Sequence, residues 1–271
     1  MDLQGILYPA LILGGLGLVF GLLLAYASKR FHVETDPRVE QVRERLPGAN
    51  CGGCGFPGCD AYAEAVVLEG AKPNLCAAGG AELAEALAKI MGVSVEASAR
   101  RVAFVKCKGT PDVARWRCLY EGAADCREAV VLPGGGHKAC SFGCLGLGTC
   151  VAVCPFDAIH IENSVARVDE AKCVGCGACV TLCPKGLIEL VPVDQRVRVA
   201  CHSTHRGVDV KKVCQVGCIG CGLCVKACPN DAVHVENNLA RIDPDKCTQC
   251  CLCVDKCPTK AILFLEHRVD R

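Results

Sequence analysis

From Gly5 to Ala27 the chain runs "GILYPALILGGLGLVFGLLLAYA" without a single charge. As a helix this run is roughly 34 Å long, more than the ~30 Å hydrocarbon core of a bilayer. The pattern predicts a membrane anchor over residues 1–30. A cleaved signal peptide is the competing reading, and "AYA" at 25–27 superficially suits one. Against it, the apolar run is long, no positive charge precedes it, and Lys29 and Arg30 follow it directly. By the positive-inside rule those two cations keep the bulk of the chain on the cytoplasmic face of the cell membrane, as a single-pass protein. Gly17 and Gly21 form a GxxxG pair that permits close helix contact, although glycine is common in such spans.

After the anchor the period changes. In "TDPRVEQVRERLPG", Asp36 is placed as N-cap and Pro37 at the first helical position. Val39, Val42 and Leu46 fall on one helical face, and Pro47-Gly48 stops it. A second, alanine-rich helix, "AELAEALAKIMG", is closed by Gly92. Farther on, "AIHIE" and "AVHVE" alternate with the period of hairpin strands, and His160 and His234 read there as structural residues. The boundaries that follow are an anchor at 1–30, a helical unit at 31–92 and a mixed connecting segment at 93–137 ending in "PGGG". Two modules follow, at 138–192 and 193–271.

Those modules are copies of each other. The shift that carries Cys150 onto Cys224 superposes "CVAVCPFDAIHIENSVARVDEAKCVGCGACVTLCP" on "CVKACPNDAVHVENNLARIDPDKCTQCCLCVDKCP" without a gap. Cys150, Cys154, Cys173, Cys176, Cys179 and Cys183 meet Cys224, Cys228, Cys247, Cys250, Cys253 and Cys257. One unit has been duplicated.

Cysteine changes the picture most. The 271 residues include 26 cysteines, whereas aromatic residues reach only 4%. A conventional core is therefore poor, and metal ligation is expected to supply much of the folding energy. In a reducing compartment this cysteine usage argues for metal and against disulfides. The run C-x2-C-x2-C-x3-C-P turns three thiolates toward one iron-sulfur cluster, while its fourth cysteine serves the neighbouring cluster. In the second copy that rule gives Cys218, Cys221, Cys224 and Cys257 for one cluster, and Cys247, Cys250, Cys253 and Cys228 for the other. In the first copy it gives Cys173, Cys176, Cys179 and Cys154. A further set near the anchor, Cys51, Cys54, Cys59 and Cys76, has the spacing C-x2-C-x4-C-x16-C. Glycines 52, 53, 55 and 58 allow its loop to fold tightly. Zinc is the competing metal for such cysteine pairs.

One set is irregular. Cys144, Cys150 and Cys183 are in place, but Leu147 stands where the second copy has Cys221. Cys140 lies just upstream of Cys144 and is expected to be the fourth ligand; the competing reading is a three-iron cluster with Cys140 as bystander. Six cysteines then remain: Cys107, Cys118, Cys126, Cys201, Cys214 and Cys251. Cys126 and Cys201 precede Cys140 and Cys214 by nearly equal intervals, so the leaders of the two copies look related. A sixth cluster from Cys107, Cys126, Cys201 and Cys214 is one outcome, and buried free thiols are the ordinary one. Arg196, Arg198, Arg206, Lys211 and Lys212 form a basic stretch, read as a solvated face or as a docking patch for an acidic electron carrier. Five four-iron clusters with four thiolates each would carry the formal +1 to about −9.

No nucleophile and base pair, nucleotide loop or open catalytic metal site stands out, nor does any signature of nucleic-acid binding. The order of apolar anchor, "YASKRF", "DPRVEQVRERLPGANCGGCGFPGCDAYAEA" and paired cluster motifs resembles the B subunit of the Rnf complexes, ion-translocating ferredoxin:NAD oxidoreductases. "KACSFGCLGLGTCVAVCPFDAI" and "GCIGCGLCVKACPNDAV" look like the long form of anaerobes. The resemblance implies an α+β chain with an N-terminal transmembrane helix, a small helical four-cysteine domain and two tandem ferredoxin-like modules. It also implies five [4Fe-4S] clusters, soluble ferredoxin as electron donor, and partner membrane and flavin-bearing subunits that hold the nicotinamide chemistry. No complete catalytic site is expected on this chain alone. The rival readings are a membrane-anchored polyferredoxin of another complex, such as a hydrogenase, and a structural metal-binding scaffold.

Overall fold

The computed structural model describes residues 3–30, 36–95 and 99–265. The expected boundary after residue 30 and the end of the last module at 271 lie outside them. Helix α1 (Leu3–Arg30) is, among the described residues, the one helix long and apolar enough to cross a membrane.

Three helices form the next unit. At α2 (Pro37–Arg45) the Asp36 carboxylate accepts the Arg38 amide at 2.9 Å, with Pro37 where its missing N–H costs nothing. Val42 and Leu46 bury against Tyr62 and Val66 of α3 (Cys59–Leu68) and Leu87 of α4 (Gly80–Met91). Gly92, at φ +68°, closes α4 as expected. The Tyr62 hydroxyl donates to the Lys72 carbonyl at 2.8 Å and accepts the Leu75 amide at 3.3 Å, which fixes the loop leading into Cys76.

Among the described residues, the rest carries eight short strands in four antiparallel pairs, with short helices between them. Strand β1 (Arg101–Val105) pairs not with a neighbour in sequence but with β4 (Ile188–Pro192), Val105 opposite Ile188. Between them lies the hairpin of β2 (Ile159–Glu162) and β3 (Val165–Val168). The second copy repeats the plan: β5 (Val197–Val199) pairs with β8 (Ile262–Phe264), Val199 opposite Ile262, around the hairpin of β6 (Val233–Glu236) and β7 (Leu239–Ile242). Residues 93–137, expected as a connector, thus supply the leading strand of the first module. Backbone pairing drives this, because β4 would otherwise leave its strand edge unpaired.

Both hairpins turn through two residues of positive φ, Asn163-Ser164 and Asn237-Asn238, as two-residue turns require. Each turn presses on a glycine of a cysteine loop. A Cβ on Gly146 (φ +71°) would lie 2.3 Å from the Ser164 carbonyl oxygen, and one on Gly220 (φ +64°) 2.9 Å from that of Asn238. Gly146→Ala and Gly220→Ala are each expected to lower stability by about 1–3 kcal/mol, Gly146→Ala the more. Anaerobic denaturant titration measures this, and unchanged midpoints would show that the turn yields freely.

The module cores are made partly of thiols. In the second module the buried apolar cluster of Val197, Val233, Leu239, Ala240, Ala261 and Ile262 also contains Cys201, Cys218, Cys224 and Cys253.

Candidate metal centres

Cysteine side chains gather around a series of small cavities. Cys51, Cys54, Cys59 and Cys76 line one, with Gly52, Gly53 and Gly58 in its wall. The Asn50 side-chain oxygen accepts the Cys59 amide at 2.8 Å and so fixes the start of α3 beside it. A second cavity is lined by Cys154, Cys173, Cys176 and Cys179. A third is lined by Cys228, Cys247, Cys250 and Cys253, with Cys251 at its edge. Cys218 and Cys221 lie in the loop before the short helix Leu223–Ala227, Cys224 lies in its first turn, and Cys257 packs against the same core.

The cavities group the cysteines of the irregular set differently from the expected ligand set. The cavity containing Cys144, Cys150 and Cys183 has Cys126 as its fourth cysteine, whereas Cys140 lines another cavity with Cys107, Cys201 and Cys214. Local hydrogen bonds explain the placement of Cys126. It opens the short helix α5 (Cys126–Ala129), whose N-cap is Asp125. The Thr149 hydroxyl accepts the Cys126 amide at 2.7 Å and donates to the Asp125 carboxylate at 2.9 Å. Thr149 begins the short helix α6 (Thr149–Ala152), so the bond clamps Cys126 beside Cys150. In the second copy Leu223 takes the place of Thr149, and Cys221 makes such a clamp unnecessary. The similar spacing of Cys126 and Cys201 is therefore not a sign of equivalence. Strand pairing instead makes Cys107 the counterpart of Cys201: each lies two residues beyond the end of β1 or β5.

The surroundings of the sulfurs suit thiolate ligands. Backbone amides donate to Cys154 Sγ from Ala158 at 3.5 Å, to Cys228 Sγ from Ala232 at 3.4 Å and to Cys257 Sγ from Ala261 at 3.2 Å. The Ala103 amide donates to Cys173 Sγ at 3.3 Å. Such bonds stabilise negative charge on sulfur and tune clusters. Burial, reinforced by neighbouring sulfurs, pushes the Cys150 and Cys179 thiols up to about 12. Cys201, Cys224 and Cys253 rise to about 11, again first through burial. Without metal these groups are neutral thiols at pH 7, and metal loading displaces their protons. Among the described residues no three His, Cys, Asp or Glu side chains converge on a single-ion site. Ligands around a cube of four irons stand farther apart than the corners of one zinc tetrahedron, with its ~2.3 Å Zn–S bonds.

The remaining candidates divide. Cys118 is exposed. Cys251 holds φ +63° at the position taken by Gly148, Gly177 and Gly222 before the corresponding helices. His160 and His234 lie on β2 and β6, half exposed near Asp157 and Asp231. Arg198 leaves the supposed basic face: it is 3% exposed, pairs with Glu170 at 2.5 Å and lies over the Phe104 ring.

Comparison with known proteins finds iron-sulfur family models along the chain. A family model for an Fe-S cluster domain matches residues 46–78. Models of 4Fe-4S dicluster domains match 139–187, 217–261 and 172–233. The B subunit of the Na(+)-translocating ferredoxin:NAD(+) oxidoreductase complex of Acetobacterium woodii is 53% identical over 90% of this chain and 74% of its own. Its counterpart in the proton-translocating ferredoxin:NAD(+) oxidoreductase complex of Clostridium ljungdahlii is 53% identical over 86% of this chain and 82% of its own. The B subunit of an ion-translocating oxidoreductase complex of Methanosarcina acetivorans is 44% identical over 93% of this chain and 95% of its own.

Proposed function

This chain belongs to the family of B subunits of ion-translocating ferredoxin:NAD oxidoreductase (Rnf) complexes, and on that premise we propose that it is their wire, taking electrons from reduced ferredoxin and passing them toward partner membrane subunits. The observation that carries this reading is that the cysteine-lined cavities of the helical unit and the first module adjoin one another. Gly53 of the first cavity lies against Cys176 of the second so closely that a Cβ there would be 2.6 Å from the Cys176 carbonyl oxygen. Cys179 of the second cavity is a near neighbour of Cys150 in the next.

Five [4Fe-4S] clusters are proposed. Their ligands are Cys51, Cys54, Cys59 and Cys76; Cys154, Cys173, Cys176 and Cys179; Cys126, Cys144, Cys150 and Cys183; Cys218, Cys221, Cys224 and Cys257; and Cys228, Cys247, Cys250 and Cys253. Each cluster, when bound, supplies one-electron redox chemistry at low potential. The chain's own residues hold the sites in order and direct amides toward sulfur. Exposed Cys221 and Cys250 in the second module support entry of electrons there, at the end remote in sequence from the anchor. The membrane anchor, with Lys29 and Arg30 on the cytoplasmic side, supports delivery at the other end.

The test is anaerobic mixing of the purified full chain with reduced ferredoxin. The visible absorption of the chain is expected to bleach and to recover on oxidation. A colourless protein, or a coloured one that only non-protein reductants bleach, would overturn the reading.

A further inference from the structure

We infer that Cys107, Cys140, Cys201 and Cys214 hold a further [4Fe-4S] cluster at the junction of the two modules, each module supplying two of the four thiolates. All four line one cavity. Its two halves are related as the modules are. Cys140 and Cys214 superpose under the same shift that carries Cys150 onto Cys224. Cys107 and Cys201 lie farther apart in sequence, because the first copy has extra residues between its pair. The backbone gives their register: the Lys106 amide donates to the Leu187 carbonyl and the Ala200 amide to that of Ala261, both at 2.8 Å. Gly143 and Gly217, equivalent in the repeat, stand on the two sides of the same cavity.

The halves are held together by the extra residues. The Arg115 amide donates to the Val213 carbonyl and the Ala139 amide to that of Arg115, each at 2.9 Å, so residue 115 is strung between the two cysteine segments. Close by, a Cβ on Gly109 would stand 3.7 Å from Cys107 Sγ and 3.8 Å from Cys214 Sγ. Sulfurs of both modules thus flank a single residue.

Charge gives an independent indication. Lys138 lines the cavity and is 1% exposed. Its ammonium donates to the carbonyls of Gly109 and Ser164, both at 2.9 Å, and among the described residues it forms no ion pair. A buried ammonium without a counter-charge is costly. A cluster with four thiolates supplies that negative charge.

The position gives the site its use. The Cys144 amide of the neighbouring first-module site donates to Cys107 Sγ at 3.4 Å, and the Cys218 amide of the second module donates to Cys201 Sγ. An electron arriving from one module would leave for the other without a long intermodule hop. That role rests on the electron-transfer reading above; the ligand assignment does not.

The experiment is iron and acid-labile sulfide analysis, with native mass measurement, of the anaerobically purified full chain and of Cys201→Ala and Cys214→Ala. About 24 iron atoms are expected in the parent and about 20 in each variant, while Cys118→Ala retains about 24. A coloured parent with about 20 irons, zinc in their place, or variants that keep all of the parent's iron would overturn the assignment. Because the parent count decides alone, variants that fail to fold leave it testable. A colourless parent would overturn the electron-transfer reading as well.

Discussion

Cys126→Ala is expected to lose about four iron atoms per chain, and Cys126→Ala combined with Leu147→Cys to regain them. Leu147 occupies the position of Cys221, so a cysteine there restores the regular spacing of Cys144, residue 147 and Cys150. The same rescue attempted on Cys140→Ala should fail, because Cys140 lines a different cavity. Iron analysis and paramagnetic resonance of the reduced proteins read both results. Rescue of Cys140→Ala, with Cys126→Ala retaining full iron, would return the fourth-ligand role to Cys140.

The second large effect concerns folding. Stripping iron with a chelator and an oxidant is expected to make residues 99–265 sensitive to protease while residues 36–95 stay relatively protected. The helical unit closes over Val42, Tyr62, Val66 and Leu87, all at most 1% exposed. The module cores include buried thiols among their hydrocarbon side chains, four cysteines in each. Structural metal binding is worth on the order of 10 kcal/mol in small metal-folded domains, comparable with the whole stability of a domain. Persistent protection of the stripped modules in limited proteolysis would show that their apolar residues suffice.

Most of the scaffold was legible because its signals are local. Asp36-Pro37 and Gly92 mark helix ends, and the alternation around His160 and His234 marks hairpins that the structure shows. The regular cysteine runs likewise carry their own geometry. What stayed hidden depends on pairing across distance. Strand β1 finds its partner only beyond the whole β2–β3 hairpin and the cysteine loops on either side of it, and nothing in "RVAFV" names that partner. Aligned as β1 and β5 are, "RVAFVKC" and "QRVRVAC" share only Val105 with Val199 and Cys107 with Cys201. The inserted residues hide that relation and also carry Cys126. Cys140 stands just ahead of the motif that has Leu147 in a cysteine position, and proximity in sequence says nothing about a clamp such as Thr149, which sets Cys126 beside Cys150.

The paired register of Cys107 with Cys201 and Cys140 with Cys214 also orders events during synthesis. The two first-module thiols leave the ribosome well ahead of their counterparts. At elongation rates of about 5–20 residues per second the lag is roughly 4 to 20 seconds. Throughout that interval the nascent chain presents half a pocket, with two thiols and Lys138 but nothing opposite them. Closure of the junction therefore requires that the chain has been translated through Cys214, and until then the first-module thiols stand open to oxidation.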